Sequence, residues 1–562
     1  MERSPKQRFA RLLWDLAGFE RAMATRRSFR AKAYREAVWA LDDLSPGLVE
    51  GSDELMAVPR IGRGIAGLIA EFKETGRLRR LEDLTRTLPT EAAVLSRLPR
   101  MTPSRLQALK LGKIETADDL ITAIDSGRLL EIRGLGEATG RAWRDRLEAG
   151  KEHAGIPIYR ARAFAVRLAQ HLERHVPGSR ATPVGEVRRL EEWVSEVALL
   201  LWGNQAAIDF LAASALVQGL QDMNGEWRLD TLEGQAVVRQ TAPARLGTAL
   251  VLSTGPHTHL AALERAGAAR GLSGWWPAAT EEEFYERLSS PPLPPPARSE
   301  RFPLDVPVIY DRDLAGDLHL HSNWSPDGRQ SLAELAATAR SLGRHYVAVT
   351  DHTHGLRFGG LSGEGLRRQK EELELARAAN LELTIFHGAE LNVGRDGAID
   401  VDDDDLAMLD FRLAGIHSHF GLSATEQTER LLRVVQNPLI HAISHLMGRR
   451  IGVRPPIEVD LDPIFEAAAE AGTALEVNGH LDRLDLPGAY AARAVQRGVK
   501  LLVNSDAHRP TEHENTAHAV AVLQRAEVGP EMVLNTLPQA RFCLWLERKR
   551  VDAVLDGQLV RQ

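Results

Sequence analysis

Cysteine is almost missing from this 562-residue chain, in which Cys543 is the single example. No disulfide can form within the chain, which excludes a disulfide-stabilised secreted module and favours a reducing compartment. Long apolar runs are missing as well. No stretch reaches the roughly 18 apolar residues of a membrane span, and the first residues lack the apolar core of a secretory signal. We therefore expect a cytoplasmic protein with no membrane segment.

The rest of the composition is that of a soluble globular protein, with 44% hydrophobic and 26% charged residues. The length exceeds what one hydrophobic core supports and predicts several domains. The net charge of -7 is uneven, because residues 1–150 are slightly basic and the remainder is acidic. A basic N-terminal part suits a partner that carries phosphate, but ordinary surface variation explains the same excess, so charge alone favours neither.

The stretch 317–328 carries the first sign of chemistry. Alternate side chains of a β-strand share a face, so His319 and His321 point the same way, and Asp327 returns from the loop that follows. A lone histidine is more often a hydrogen-bonded core or surface residue. Here the pattern recurs, because five more short apolar stretches run into His, Asp or Glu: 346–349, 383–386, 411–416, 441–444 and 501–504. With helical patterns between them, these strands predict an α/β barrel whose loops converge on metal.

This part of the chain resembles a PHP (polymerase and histidinol phosphatase) domain, and all nine ligand positions of that family's trinuclear site hold ligand-type residues. The resemblance implies one ion on His319, His321, Glu390 and Asp506, a second on Glu390, His417 and His445, and a third on Asp327, His352 and His508. The resemblance assigns no role to the additional histidines His354, His387 and His419.

Mixed imidazole and carboxylate ligation favours Mn, Zn or Fe over Ca or Mg. We take Mn as the first expectation for up to three divalent ions, with Zn and Fe as alternatives. Adjacent metal ions can activate water near neutral pH and hold both the attacking and the leaving oxygen of a phosphoester. The resemblance therefore implies phosphoester hydrolysis by a hydroxide that the metal ligands hold in place.

Residues 58–64, with Gly62 and Gly64, resemble a helix-hairpin-helix, in which a tight turn lets backbone N–H groups approach a DNA phosphate without reading sequence. Residues 132–136, with Gly134 and Gly136, form a second good copy, and 98–102 form a poorer copy without the expected glycines. One Gly-x-Gly is more often a plain turn. Three related hairpins predict non-sequence-specific DNA binding.

The order of these parts, hairpins first and PHP domain last, resembles the bacterial DNA polymerases of family X. The resemblance implies a multidomain α+β and α/β protein with helical hairpin domains, a degenerate nucleotidyltransferase palm and thumb, and a distorted (β/α)7 PHP barrel. The implied boundaries are a lyase-like domain at 1–85, a fingers-like domain at 86–155, the palm at 156–245, a thumb-like part at 246–290, a Pro-rich linker at 291–312 and the PHP domain at 313–550.

The palm departs from the family pattern where nucleotide transfer needs carboxylates. Residues 185–189 replace the signature Gly-Ser-x-Arg-Arg with Gly-Glu-Val-Arg-Arg. Two magnesium ions need converging carboxylates, so the loss of acids predicts loss of polymerase activity. A lyase needs a Schiff-base lysine, and that position also lacks an amine. The aligned positions are Glu196, Ala198 and Val237 for the three acids and Leu68 for the lysine.

The leading hypothesis is a DNA repair protein that acts as a metal-dependent 3'-5' exonuclease or phosphodiesterase on DNA ends or gaps, with polymerase and lyase activities lost. The hairpins, together with Arg188 and Arg189, would grip the DNA. Incision at AP sites by the same centre is a related activity that the resemblance carries. Three alternatives stay open: a non-catalytic DNA-binding repair scaffold, a phosphatase for small phosphate monoesters, and a polymerase that is active despite the lost acids. The sequence indicates no protein partner.

Overall fold

The N-terminal part of the chain is helical in the computed structural model, which describes residues 3–24, 28–44, 55–152, 155–304, 306–356 and 359–555. Polar residues cap the start of several helices. The Ser4 side chain accepts a hydrogen bond from the Gln7 N–H, and the Gln7 side chain accepts one from the Ser4 N–H. Thr116 and Asp119 form the same reciprocal pair. In the described residues, no helix combines the length and apolar character needed to cross a membrane. The helices here are α1 (Pro5–Met23), α2 (Phe29–Ala40), α3 (Arg63–Thr75), α4 (Arg79–Thr87), α5 (Ala92–Leu95), α6 (Pro103–Leu111), α7 (Ala117–Asp125) and α8 (Glu137–Glu152).

A mixed five-stranded sheet lies in the part of the chain predicted to be the palm, with the strands in the order β2-β4-β7-β6-β5. Only β4 and β7 run parallel. β4 is a buried apolar strand, and Ala198 on it is the register partner of Val237 on β7. Two of the aligned acid positions therefore lie side by side. The elements are β1 (Ile156–Pro157), α9 (Ile158–His175), β2 (Ser179–Val184), α10 (Gly185–Arg188), β3 (Trp193–Val194), β4 (Val197–Gly203), α11 (Ala207–Ala213), β5 (Val217–Asp222), β6 (Glu226–Thr231) and β7 (Gly234–Gln240).

Three short helices follow: α12 (Leu246–Thr254), α13 (His257–Ala268) and α14 (Glu281–Glu286). Trp276, Phe284 and Tyr285 form a hydrophobic cluster in this region. The start of the Pro-rich segment packs against it, since Leu293 belongs to the same cluster and is 5% exposed. The segment is therefore partly anchored at its beginning, while the division into six domains stays a prediction.

The C-terminal part is the predicted barrel. Seven parallel strands stand in chain order from β8 to β14, and a bridge between Leu320 and Ala507 brings the first strand to the last. The His321 N–H donates to the Ala507 carbonyl across this seam at 2.9 Å. The strands are β8 (Gly316–Leu320), β9 (Tyr346–Val349), β10 (Thr384–Asn392), β11 (Phe411–Gly415), β12 (Ala442–Ile443), β13 (Ala474–Asn478) and β14 (Leu501–Asn504). The helices are α15 (Leu332–Ser341), α16 (Gly363–Ala379), α17 (Asp403–Ala407), α18 (Ala424–Val435), α19 (Leu461–Ala471), α20 (Gly488–Gln496), α21 (Thr516–Arg525) and α22 (Gln539–Leu555).

Contacts divide the chain into two units, Met1–Ile156 with Ala161–Gly185 and Trp193–Ala249, and Pro157–Arg160 with Glu186–Glu192 and Leu250–Gln562. The second unit contains the whole barrel. Helix α22 covers the amino-terminal ends of its strands, where Phe542 is fully buried and stacks on Tyr346 with 4.8 Å between ring centroids. A Cβ at Gly316 would lie 2.2 Å from the Tyr346 ring, so only glycine admits this ring. The apolar end of the barrel is thus sealed, and its polar end is left for chemistry.

Replacing Phe542 by alanine should leave a cavity at the sealed end and lower the free energy of unfolding of the barrel unit by about 3–5 kcal/mol. Denaturant unfolding followed by circular dichroism measures this loss. Leu544→Ala is the matched control, because Leu544 lies on the same helix and is 64% exposed. Equal shifts of the unfolding midpoint in the two variants would contradict the packing described.

Candidate metal centre

The nine predicted ligand residues lie together at the carboxyl ends of the barrel strands. His319 lies within β8 and Glu390 within β10, and most of the others follow a strand end by no more than four residues. Asp327 returns from the longer loop after β8. A Cβ at Gly328 would lie 1.8 Å from the Ser322 carbonyl oxygen, so this return requires glycine.

Glu390 is at the centre of the cluster. Its Oε1 lies 2.9 Å from His445 Nε2 and 3.2 Å from His417 Nε2. Its Oε2 lies 2.9 Å from His352 Nδ1 and 3.3 Å from His319 Nε2. One carboxylate thus faces histidines from four strands, which suits the shared ligand role that the family resemblance implies for Glu390.

Two further acids complete the cluster. Asp506 Oδ1 lies 3.3 Å from His321 Nε2 and 3.5 Å from His319 Nε2. Asp327 Oδ2 lies 3.4 Å from His508 Nε2 and 3.9 Å from His352 Nε2. Four groups of three possible ligand atoms each fall within 4.8 Å of one another: His321, His352 and His508; His319, Glu390 and His445; His319, His321 and Asp506; and His352, Glu390 and His417. The first ion implied by the family resemblance matches the third group, with Glu390 beside it.

Burial and charge act against each other in this cluster. Burial disfavours the ionised form of Glu390, but the surrounding histidines hold the pKa of this carboxyl well below its usual value. Burial likewise opposes protonation of His319, and the surrounding carboxylates nevertheless raise the pKa of this imidazole well above its usual value. Burial lowers the pKa of His321 well below its usual value, and nearby histidines add to the shift. The carboxylates therefore stay ionised, which metal binding requires.

A second layer of oxygen atoms orients the histidines. Glu476 Oε1 lies 2.7 Å from His319 Nδ1, and Asn392 Oδ1 lies 2.8 Å from His417 Nδ1. When Nδ1 donates to an oxygen, Nε2 carries the free lone pair, and in both residues Nε2 faces the acids. Two more contacts have the same effect: Ser325 Oγ to His321 Nδ1 at 3.2 Å, and the Asp506 carbonyl to His508 Nδ1 at 2.9 Å.

The donor atoms fit divalent metal ions. Nε2 of His319, His321 and His417 and Oε2 of Glu390 are buried and have no hydrogen-bond partner among the described residues. A buried polar atom without a partner costs roughly 1–3 kcal/mol, so several at one point indicate a missing electrophile. Imidazole nitrogens with carboxylate oxygens suit Mn, Zn or Fe.

The three unassigned histidines lie outside these groups. His354 and His419 are exposed, and His387 is buried on β10, where burial lowers its pKa to about 4. Sequence reasoning missed Glu476, because β13 ends in none of the nine predicted ligands. A signal was present, since Glu476 and Asn478 alternate in an otherwise apolar strand and must share its inner face.

The three N-terminal hairpins have the same turn. The third residue of each turn has a positive φ, 74° at Arg60, 56° at Arg100 and 87° at Gly134. In each, the next N–H bonds back to the carbonyl three residues earlier at 3.1 Å. The copy at 98–102 therefore folds as the others do, although it lacks the glycines. The predicted DNA-contacting glycines are exposed, with nothing within 4 Å of an added Cβ: Gly62, Gly64, Gly134 and Gly136.

The two arginines predicted to grip DNA are engaged within the protein. Arg188 forms a two-point ion pair with Glu281 at 2.6 and 2.9 Å. Arg189 donates to the Thr254 carbonyl at 2.5 Å and pairs with Glu191. Their role in DNA binding stays a prediction, and it would require these contacts to be shared or exchanged.

Comparison with known proteins agrees with this arrangement. Residues 4–78 match the family model of a helix-hairpin-helix domain, and residues 317–503 match that of a PHP domain. The chain is 28% identical over 535 residues to the DNA polymerase/3'-5' exonuclease PolX of Bacillus subtilis (strain 168), which covers 90% of this chain and 93% of that protein. The chain is therefore a homologue of a PolX protein over nearly its whole length.

This PolX-like chain also matches shorter proteins through its PHP domain alone. A probable phosphatase of Syntrophotalea carbinolica is 31% identical over 238 residues, 39% of this chain and 90% of that protein. Another, from Edwardsiella ictaluri, is 28% identical over 242 residues, 42% of this chain and 94% of that protein. The PolX-like chain therefore carries a metal-dependent phosphoesterase domain, whose ions and their number stay a prediction.

Glu476→Gln should weaken metal binding about 10- to 100-fold, because the amide no longer fixes the tautomer and charge of His319. Metal content after dialysis against buffered Mn measures this loss. Glu470→Gln, an exposed position on α19, is the matched control. Unchanged metal content in the Glu476 variant would show that His319 is held without it.

Proposed function

We propose that this PolX-like protein is a metal-dependent 3'-5' exonuclease that acts on DNA ends or gaps in the cytoplasm through its PHP domain. The observation that carries the proposal is the completeness of the nine-residue cluster in a chain that also has three helix-hairpin-helix turns. A scaffold without catalysis has no physical reason to keep nine such side chains together.

The nine residues would hold up to three divalent ions, with Mn as the first expectation. When bound, such ions supply an activated water and stabilise the charge that develops on a phosphoester. The chain's own residues hold the site in shape: Ser444 Oγ donates to Glu390 Oε1 at 2.8 Å and fixes its rotation. A Cβ at Gly415 would lie 2.7 Å from that oxygen, so glycine leaves the room it needs.

The exposed hairpin turns supply the grip on DNA. Their glycines are exposed, which lets phosphate oxygens approach the backbone, a contact that carries no sequence information. The name of the Bacillus subtilis relative includes 3'-5' exonuclease, which supports this substrate over a small monoester. Incision at AP sites uses the same bond type and belongs to the same proposal.

The palm supports the loss of nucleotide transfer. Ala198 and Val237, side by side in the sheet, offer no oxygen to a metal. The remaining acid, Glu196, lies 3.5 Å from Arg239 Nη2, which also lies 2.7 Å from Glu226. A guanidinium thus stands where magnesium ions would need converging carboxylates. Leu68 on α3 offers no amine for lyase chemistry, so we propose that both activities are lost.

His319→Ala should slow the Mn-dependent degradation of a 3'-labelled oligonucleotide by roughly 100-fold or more. The predicted metal cluster then loses a ligand that lies against both Glu390 and Asp506. Gel analysis of the products measures it, and DNA affinity should be unchanged. His419→Ala, an exposed histidine outside the cluster, is the control. If the wild type turned over a small phosphate monoester but no oligonucleotide, the phosphatase alternative would replace this proposal.

Primer extension with dNTPs and Mg should be undetectable. The measurement is best made in the His319→Ala variant, because exonuclease activity cannot then remove added nucleotides. Extension of the primer by that variant would show that Glu196 suffices and that the palm is still a polymerase.

A further inference from the structure

A cation lies against the metal centre. Arg483, on the loop after β13, has its Nε 3.3 Å from Asp506 Oδ2. Among the described residues, no other arginine or lysine forms an ion pair with any of the nine side chains. A guanidinium next to divalent cations is repelled by them, so its presence calls for an anion that both can share.

The balance of charges also favours an anion at this site. Two divalent ions would balance the four carboxylates of the site, those of Asp327, Glu390, Glu476 and Asp506. For these groups alone, Arg483 then leaves one positive charge in excess, and a third ion would add two more. Such a site attracts a phosphate group strongly, especially where burial weakens screening by water.

The guanidinium is available to a ligand. Its side chain is 19% exposed, and within the described part of the chain Nη1 and Nη2 donate to no other residue. Neighbouring arginines are engaged elsewhere: Arg449 pairs at two points with Glu192, at 2.7 and 2.8 Å, and Arg450 pairs with Asp482. Arg483 therefore keeps two donors that suit the paired oxygens of a phosphate.

The loop that carries Arg483 is held on several sides. The Arg483 N–H donates to the His480 carbonyl at 2.8 Å, and the Leu484 carbonyl accepts from Arg449 at 2.5 Å. Asp485 Oδ1 accepts from the Met447 N–H at 3.1 Å. A donor fixed in this way contributes more to a developing charge than a mobile surface arginine.

We propose that Arg483 binds the non-bridging oxygens of the phosphate that is hydrolysed, through Nη1 and Nη2, while Nε holds Asp506. This inference rests on the proposed hydrolysis at the cluster and names the residue that receives its substrate. It makes Arg483 a catalytic residue, in contact with the reacting group.

The test compares full-length wild type, Arg483→Met, Arg483→Lys and the control Arg497→Met, which breaks a partly exposed pair with Asp462. Three quantities are measured: Mn content after dialysis, affinity of the Mn-loaded protein for inorganic phosphate by calorimetry, and kcat and KM on a 3'-labelled oligonucleotide. Arg483→Met should keep its Mn, bind phosphate about tenfold more weakly or worse, and lose roughly 100-fold in kcat. Arg483→Lys should give phosphate affinity and kcat between those of the wild type and Arg483→Met, since lysine keeps the positive charge but lacks the paired N–H donors of a guanidinium.

Unchanged phosphate affinity and kcat in Arg483→Met would overturn the proposal. Loss of Mn in parallel with phosphate binding would also overturn it, because Arg483 would then only support Asp506. If Arg483→Met does not fold, the lysine variant decides by the same criteria. If the wild type degrades no DNA but binds phosphate in an Arg483-dependent way, the proposed exonuclease fails and this inference stands.

Discussion

Buried carboxylates and imidazoles at one end of the barrel place the strongest constraint on this protein. Glu390 is 1% exposed and has histidine nitrogens within 3.3 Å of both oxygens. Ionised groups do not leave water at this density unless cations compensate for the lost solvation. The apolar end, sealed by Phe542 and Tyr346, gives the rigid frame on which this unfavourable arrangement can be held.

Much of this centre could be predicted from the sequence, because metal ligands obey simple spacing. A period of two placed His319 and His321 on one face, and short apolar stretches that ended in ligand residues located six of the seven strands. The seventh, β13, supplies none of the nine, so that logic could not find it. Glu476 and Arg483 were missed for the same reason, because Glu476 lies on β13 and Arg483 on the loop that follows it.

Backbone conformation was harder to predict than side-chain chemistry. The hairpin at Arg100 was judged poorer because it lacks the expected glycines, the residues that accept a positive φ at least cost. The structure shows arginine in that conformation at both Arg60 and Arg100, each after a proline that presets the first half of the turn. In the Pro-rich segment, composition predicted a stiff connector and could not reveal that Leu293 belongs to a hydrophobic cluster.

The seam between β8 and β14 joins the two ends of the barrel, and ligands stand on both sides of it. His319 and His321 are made early in the domain, while Asp506 and His508 emerge from the ribosome some two hundred residues later. Until that last strand has been added, the histidines have no acid partner across the seam. The first of the implied metal sites is therefore incomplete until the final strand of the barrel has been synthesised.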